Sequence, residues 1–249
     1  MTPWIANLWS WVVRKLQVHS IKPHDITKSW VDRLGVNLVV DVGANEGQFA
    51  YRMRQMGYRG EIVSFEPLRE AFEKLKARNM YSKNWRGLQM ALGERDDERT
   101  MEVAGNDMMS SSLLPMLPNH VEVLPTSAIF KTEKVKVRRL DETLKPLLNC
   151  HERIFLKVDT QGFEDRVLKG ATGILANVVL IELELSLVQL YRGQALLPEI
   201  VNLVAKLGYV PIDLARGFED GVRGKLLQVD GLFVRKDLLG TEPLRRSSF

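Results

Sequence analysis

Leu38-Val39-Val40-Asp41-Val42-Gly43-Ala44-Asn45-Glu46-Gly47 is the stretch that decides the fold of this chain. Five mostly apolar, β-branched residues ended by a glycine turn read as a strand buried on both faces. The pattern then alternates outward from it. Gln48 to Met56 reads as a helix stopped by Gly57, Glu61 to Glu66 as a second strand, and Pro67 to about Asn79 as a second helix. Gly87 to Leu92 makes a third strand. This β-α-β-α-β order predicts a parallel sheet with right-handed crossovers.

The middle of the chain is less regular. Arg99 to Val103 and Lys134 to Leu140 read as strands flanking a loop of serines, methionines and prolines. Lys134, Lys136 and Arg138 alternate with Val135 and Val137, which reads as the solvated face of an edge strand. Regular structure resumes with a strand at Ile154–Val158, a helix at Glu164–Leu175 and a strand at Val178–Leu185. A helix at Pro198–Leu207 and strands at Tyr209–Leu214 and Leu227–Arg235 follow.

Composition sets the outer bounds. The chain has 249 residues, 45% of them hydrophobic and 27% charged, as an ordinary globular protein has. With one cysteine, Cys150, it forms no intrachain disulfide, which suits a cytoplasmic setting. No apolar run approaches the ~20 residues that span a bilayer. The net charge of +4 is a mild bias spread along the chain and demands no nucleic-acid partner. Residues 1–35 are expected to form a helical segment and 36–249 a single domain. Trp4, Ile5, Leu8, Trp9, Val12 and Leu16 recur at helical spacing. Residues 1–20 therefore read either as a peripheral membrane-surface helix or as an amphipathic helix packed on its own domain or on a twin subunit in a homo-oligomer; packing is the favoured reading.

In an open parallel sheet, ligands bind beyond the carboxyl ends of the strands, where strand order reverses. The first such loop, Asp41-x-Gly43-x-Asn45-x-Gly47, is neither the G-x-G-x-x-G of dinucleotide folds nor a P-loop. Asn45 tolerates a left-handed backbone almost as glycine does. The spacing has the shape of the first motif of S-adenosylmethionine-dependent methyltransferases, with asparagine in place of the middle glycine. Glu66 ends the second strand nineteen residues past Gly47, where a carboxylate can accept hydrogen bonds from both ribose hydroxyls of a nucleoside. Together they point to an adenosine-containing cofactor, with the helix start near Gly47 offering amides to its carboxylate. Ala91 and Leu92 are small and apolar enough to stack on an adenine.

The later strand ends carry titratable groups. Asp159 stands at the end of Ile154–Val158, Lys157 two residues earlier on the same face, and Glu164 in the first turn of the next helix. They form a candidate acid–base cluster, against the plainer reading that Glu164 caps its helix and Lys157 neutralises Asp159. Glu182 and Glu184 share one face of an apolar strand, so at least one should reach the site mouth; Glu182 is taken as the catalytic candidate. The histidines, His19, His24, His120 and His151, stand at no strand end, so a histidine base is not expected.

The blocks VVDVGANEGQFA, IVSFEP, ALGE, GNDMMSSS, VKVRRLDETL, FLKVDTQGFEDRVLKGA, IELELSLVQLY and LLQVDGLFVR run in order from Val39 to Arg235. They resemble the FkbM-type methyltransferases. The resemblance implies an α/β, Rossmann-like class I fold: a mixed seven-stranded sheet, mostly parallel with the last strand antiparallel, and helices on both faces. It also implies S-adenosyl-L-methionine as cofactor and O-methyl transfer to a hydroxyl or carboxyl of a sugar, glycan or secondary metabolite. By position it places Asp41, Gly43, Asn45, Gly47 and Glu66 at the cofactor, and Ala44, Gln48, Pro67, Ala91 and Leu92 on the same strand-end loops are further candidate cofactor contacts. Asn106 and Ser111 lie in a block that would close over cofactor or substrate. Asp159 is the expected general base, or else a ligand of a divalent metal, although no metal-ligand set is read from the sequence.

Three other functions compete. A nucleic-acid or other N-methyltransferase lacks support, because the chain has no adjacent prolines for an Asp/Asn-Pro-Pro-aromatic motif and Cys150 follows asparagine. The glycine spacing disfavours a nicotinamide-dependent oxidoreductase. A non-catalytic S-adenosylmethionine-binding module is opposed by the Lys157, Asp159 and Glu164 cluster. The expected partner is a small-molecule or glycan acceptor.

Overall fold

A computed structural model describes residues 23–150 and 153–240. The helix expected within residues 1–20 lies outside them. The described chain opens with α1 (Pro23–Arg33), β1 (Leu38–Val42), α2 (Gln48–Gln55), β2 (Glu61–Phe65), α3 (Arg69–Asn79) and β3 (Trp85–Leu88). A small sheet follows, from β4 (Ala91–Leu92), β5 (Asp97–Ala104) and β6 (Ile129–Arg138), with α4 (Pro118–Val123) between the last two. Then come α5 (Leu140–Leu144), β7 (Ile154–Val158), α6 (Glu164–Lys169), β8 (Val178–Ser186), α7 (Leu197–Lys206) and β9 (Tyr209–Arg216). A short hairpin of β10 (Glu219–Asp220) and β11 (Lys225–Leu226) leads into β12 (Gln228–Arg235).

The main sheet has seven strands in the order β3-β2-β1-β7-β8-β12-β9. β3 through β8 are parallel, whereas β12 runs antiparallel between β8 and β9. This is the mostly parallel seven-stranded sheet with an antiparallel last strand that the resemblance implied. Strand order reverses between β1 and β7, the neighbours that are far apart in sequence, so a crevice opens at their carboxyl ends.

Burial explains why the strand at Leu38 reads as one apolar run: all five β1 residues are at most 1% exposed. Leu38, Val40 and Val42 join a cluster with Val167 of α6 and Val204 of α7. Val39 and Phe155 turn the other way, onto Val31 of α1 and Phe49 and Met53 of α2. Asp41, Lys157 and Glu182 are register partners on this second face.

Three expectations are corrected. The strand expected at Gly87–Leu92 is divided, because the Met90 amide turns back to the Leu88 carbonyl at 3.1 Å. β3 stays in the main sheet, and β4 leaves to pair with β6. The helix expected at Glu164–Leu175 ends at Lys169, and a 3-10 turn covers Thr172–Ile174. The Gly93 carbonyl crosses there so closely that a Cβ on Gly170 would lie 1.9 Å from it. Finally, β6 is the central strand of its sheet and not an edge. Its basic residues Lys134 and Lys136 are exposed because one face of that sheet is open to water. No helix of the described residues is long and apolar enough to cross a membrane.

Candidate active site

The turn after β1 is shaped by alternate left-handed residues: Gly43 (φ 78°), Asn45 (φ 47°) and Gly47 (φ 90°). Gly43 is required by close approach as well as by φ. A Cβ there would sit 1.8 Å from the Asp159 carbonyl oxygen, so the β1 and β7 loops touch at the switch point. Asn45 supports the turn with its side chain. Its Oδ1 accepts from the Glu46 amide at 2.7 Å and from Gln48 Nε2 at 3.0 Å, and its Nδ2 donates to the Asp107 carbonyl at 2.9 Å. Asparagine therefore does here what a glycine could not, tying the turn to the loop across the crevice.

Glu66 follows β2 and is 5% exposed. Its Oε2 accepts from the Asn45 amide at 2.9 Å and its Oε1 from the Leu68 amide at 2.8 Å. Burial raises its pKa to about 7, against the lowering effect of these two bonds. A carboxylate has about four acceptor positions, so two remain for the cavity that Glu66 lines. That capacity fits a ribose diol. Glu66→Gln should weaken S-adenosylhomocysteine binding by about 1.5–3 kcal/mol, roughly 10–100-fold in Kd by calorimetry. An unchanged Kd would remove Glu66 from the cofactor site.

The cavity measures about 410 Å³. Gly43, Ala44, Asn45, Gln48, Glu66, Pro67, Ala91, Leu92, Asn106 and Ser111 all line it. Gly47 does not. It starts α2, where a Cβ would lie 2.8 Å from Leu75 Cδ1. Asp41 also stays off the wall, fully buried beneath it. Asn106 and Ser111 shape the wall through internal bonds. Asn106 Nδ2 donates to Ser110 Oγ at 2.9 Å, and Ser111 Oγ accepts from the Ala104 amide at 3.0 Å. Asp107 and Met108 bend the segment with φ of 52° and 63°.

Lys157 and Asp159 reach the same cavity. Lys157 Nζ lies 3.2 Å from Asp159 Oδ2 and 3.7 Å from Asp41 Oδ1, with side-chain exposures of 12%, 35% and 0% for Lys157, Asp159 and Asp41. Burial lowers the Lys157 pKa, but the Asp159 and Asp41 charges outweigh it and the net shift is upward. Asp159 Oδ1 accepts from Gln161 Nε2 at 2.9 Å. Asp159 is thus the open carboxylate of the group.

Glu164 is absent from the wall. Its Oε1 accepts from the Thr160 amide at 2.9 Å, the Gly162 amide at 3.1 Å and the Thr160 hydroxyl at 3.1 Å. It closes the turn through Gln161 (φ 54°) and Gly162 (φ 96°) that presents Asp159. Burial raises the Glu164 pKa from its ordinary 4.5 to about 7. The folded state then binds more protons than the unfolded one between these values, so this contribution to stability is lost as pH rises through that window. Glu164→Gln, which keeps the acceptor, should flatten the decline of unfolding free energy between pH 5 and 8 by up to about 3 kcal/mol. An unchanged slope in denaturant titrations would contradict this.

Glu182 is corrected: it does not reach the mouth. Its Oε1 binds Arg52 NH2 at 2.5 Å and faces a separate cleft of about 180 Å³ with Thr27, Asp213 and Asp230. Glu184, nearer the carboxyl end of β8, lines the main cavity instead. The two-residue period of the strand gave the face but not the depth. Sequence reasoning also missed Gln161, Gln228, Phe218 and His120 on the wall, all on turns, on short elements or at a strand start. His120 is held by Ser127 Oγ at 2.9 Å from its Nδ1, and burial lowers its pKa, keeping it neutral. Among the described residues, no group of three or more His, Cys, Asp or Glu side chains is placed to hold a metal ion.

The chain is similar in sequence to known proteins. A family model, the methyltransferase FkbM domain, matches residues 41–211, more than half of the chain. The chain is 24% identical over 196 residues to the 2-O-methyltransferase NoeI of Sinorhizobium fredii (strain NBRC 101917 / NGR234), covering 76% of this chain and 78% of that one. It is 28% identical over 149 residues to Methyltransferase 1 of Beauveria bassiana (strain ARSEF 2860), covering 54% and 58%. Among solved structures, magnesium protoporphyrin IX methyltransferase (ChlM) from Synechocystis PCC 6803 aligns with a TM-score of 0.46 at 9% identity, over 85% of this chain and 77% of that one.

Proposed function

The chain belongs to the FkbM methyltransferase family, and we propose that it transfers a methyl group from S-adenosylmethionine to an uncharged hydroxyl of a sugar, glycan or secondary metabolite. The observation that carries the reading is Asp159. It is a cavity-wall carboxylate whose side chain is 35% exposed, held from two sides by Lys157 and Gln161, directly beside the Gly43 turn. The bound cofactor supplies an electrophilic methyl; the protein holds the acceptor and takes its proton. A sugar hydroxyl is a weak nucleophile, so a positioned base is worth about 10²–10⁴ in rate. Asp159 Oδ1 and Oδ2 each keep acceptor capacity for that proton.

A hydroxyl suits the wall better than a carboxylate does. Glu184 stands on the same cavity as Asp159, and burial with acidic neighbours already raises the pKa of Glu184 and Asp230, so a further negative charge is disfavoured there. Support for O-transfer also comes from the name of the Sinorhizobium relative, a 2-O-methyltransferase. The test is incubation with labelled S-adenosylmethionine and a panel of glycans, glycolipids and hydroxylated metabolites. Label in a neutral methyl ether is the expected result. Failure to bind the cofactor by calorimetry, or label only in amines or nucleic acid, would overturn the reading.

A further inference from the structure

Glu184 has one oxygen committed and one open. Its Oε2 accepts from Gln161 Nε2 and Gln228 Nε2, both at 2.7 Å. Its Oε1 accepts no hydrogen bond from the described residues, and Glu184 lines the cavity. The same Gln161 nitrogen donates to Asp159 Oδ1 at 2.9 Å. Gln161 cannot swing away, because its Oε1 accepts from the Tyr191 hydroxyl at 2.8 Å. One fixed amide therefore sets the spacing of two carboxyl groups on one wall.

From this juxtaposition we propose that Asp159 and Glu184 form a two-point site for neighbouring oxygens of an uncharged acceptor, so that the substrate class is a 1,2-diol. Asp159 takes the reacting hydroxyl, and Glu184 Oε1 holds the adjacent oxygen. Both carboxyl groups bond the one Gln161 amide nitrogen, at 2.9 and 2.7 Å, and both line the cavity, so two neighbouring oxygens of one acceptor can each meet one of them. The two groups also differ in charge. Burial, then the charges of Asp159, Glu164 and Asp230, raise the Glu184 pKa well above the carboxylate range. The protonated form of Glu184, which donates from Oε1, is thereby favoured, whereas Asp159 lies against the Lys157 cation and accepts. A diol matches both roles: one oxygen gives up its proton, and its neighbour accepts one hydrogen bond. A lone alcohol leaves Oε1–H without a partner.

The inference rests on Asp159 as the base, and its test separates the two. Protein loaded with S-adenosylhomocysteine is titrated with methyl glycosides that carry a vicinal hydroxyl pair and with their monodeoxy analogues. Turnover of the same compounds is followed with labelled S-adenosylmethionine. In the wild type, loss of the neighbouring hydroxyl should lower kcat/KM on the order of 10²-fold. In Glu184→Ala the intact diol should fall equally, and removing its hydroxyl should then cost nothing further. Glu184→Gln, whose amide can donate from the same point, should keep the diol preference. Cofactor affinity and thermal midpoint provide the folding control. If the alanine variant does not fold, the deoxy comparison on wild type and Glu184→Gln still decides. Equal handling of diol and deoxy compounds by the wild type, undiminished discrimination in Glu184→Ala, or no binding of any diol overturns the proposal. Failure of the base reading shows elsewhere, as wild-type turnover in Asp159→Asn.

Discussion

Asp159→Asn is expected to lower methyl transfer by about 10²–10⁴-fold, the range for loss of a general base, while S-adenosylmethionine affinity stays within a few-fold of wild type. The substitution is nearly isosteric. The asparagine carbonyl can still accept from Gln161 Nε2, which now bonds Asp159 Oδ1 at 2.9 Å. The β7 turn should also persist, because Glu164 holds it through the Thr160 and Gly162 amides and not through Asp159. Glu66 and Asn45, the proposed cofactor contacts, lie on different loops. What disappears is proton acceptance. Single-turnover assays with labelled cofactor, set beside calorimetry, read both quantities. Turnover within about threefold of wild type would exclude Asp159 as the base.

The legibility of this site in the sequence follows strand geometry. β1 and β7 are buried on both faces, so their residues are apolar except where function or pairing demands otherwise, and Asp41 and Lys157 stood out for that reason. Strand-end rules then put Glu66 and Asp159 at the crevice, and both line the cavity, because the crevice is fixed by sheet topology. What the sequence hid lies where depth or turn geometry decides. Glu182 and Glu184 are equivalent under a two-residue period, and only the pairing of β8 with β7 and β12 shows which one reaches the mouth. Gln161 reads as a loop residue until its left-handed φ of 54° turns the amide toward two carboxyl groups. Likewise Met90 and Leu88 give no local sign that a turn between them sends β4 to a second sheet.

Lys157→Met should prove the costliest single change in the buried row. Lys157 is the cation between Asp41, which is fully buried, and Asp159. Methionine keeps the unbranched stem and apolar volume, so a packing loss is minimised and the charge is what is lost. Asp41 would keep the Ser64 hydroxyl at 3.4 Å, and its Oδ1 has no hydrogen-bond partner even now. Removing one member of a buried ion pair costs about 3–5 kcal/mol, so a loss of that size is expected near pH 8. The pH dependence identifies the cause. Burial already raises the Asp41 pKa, opposed chiefly by Lys157. A raised folded-state carboxyl binds protons that the unfolded state has released, so stability grows as pH falls toward the unfolded value of about 3.9. Without Lys157 that window extends upward, and the variant should recover much of its deficit between pH 8 and 5. The double substitution Asp41→Asn with Lys157→Met removes both charges and should be more stable at pH 8 than Lys157→Met alone, a departure from additivity of 1 kcal/mol or more, within the roughly 0.5–3 kcal/mol typical of coupled neighbours. Denaturant unfolding at both pH values measures all of this. A pH-independent deficit, or strict additivity in the double variant, would assign the loss to packing and not to the stranded carboxylate.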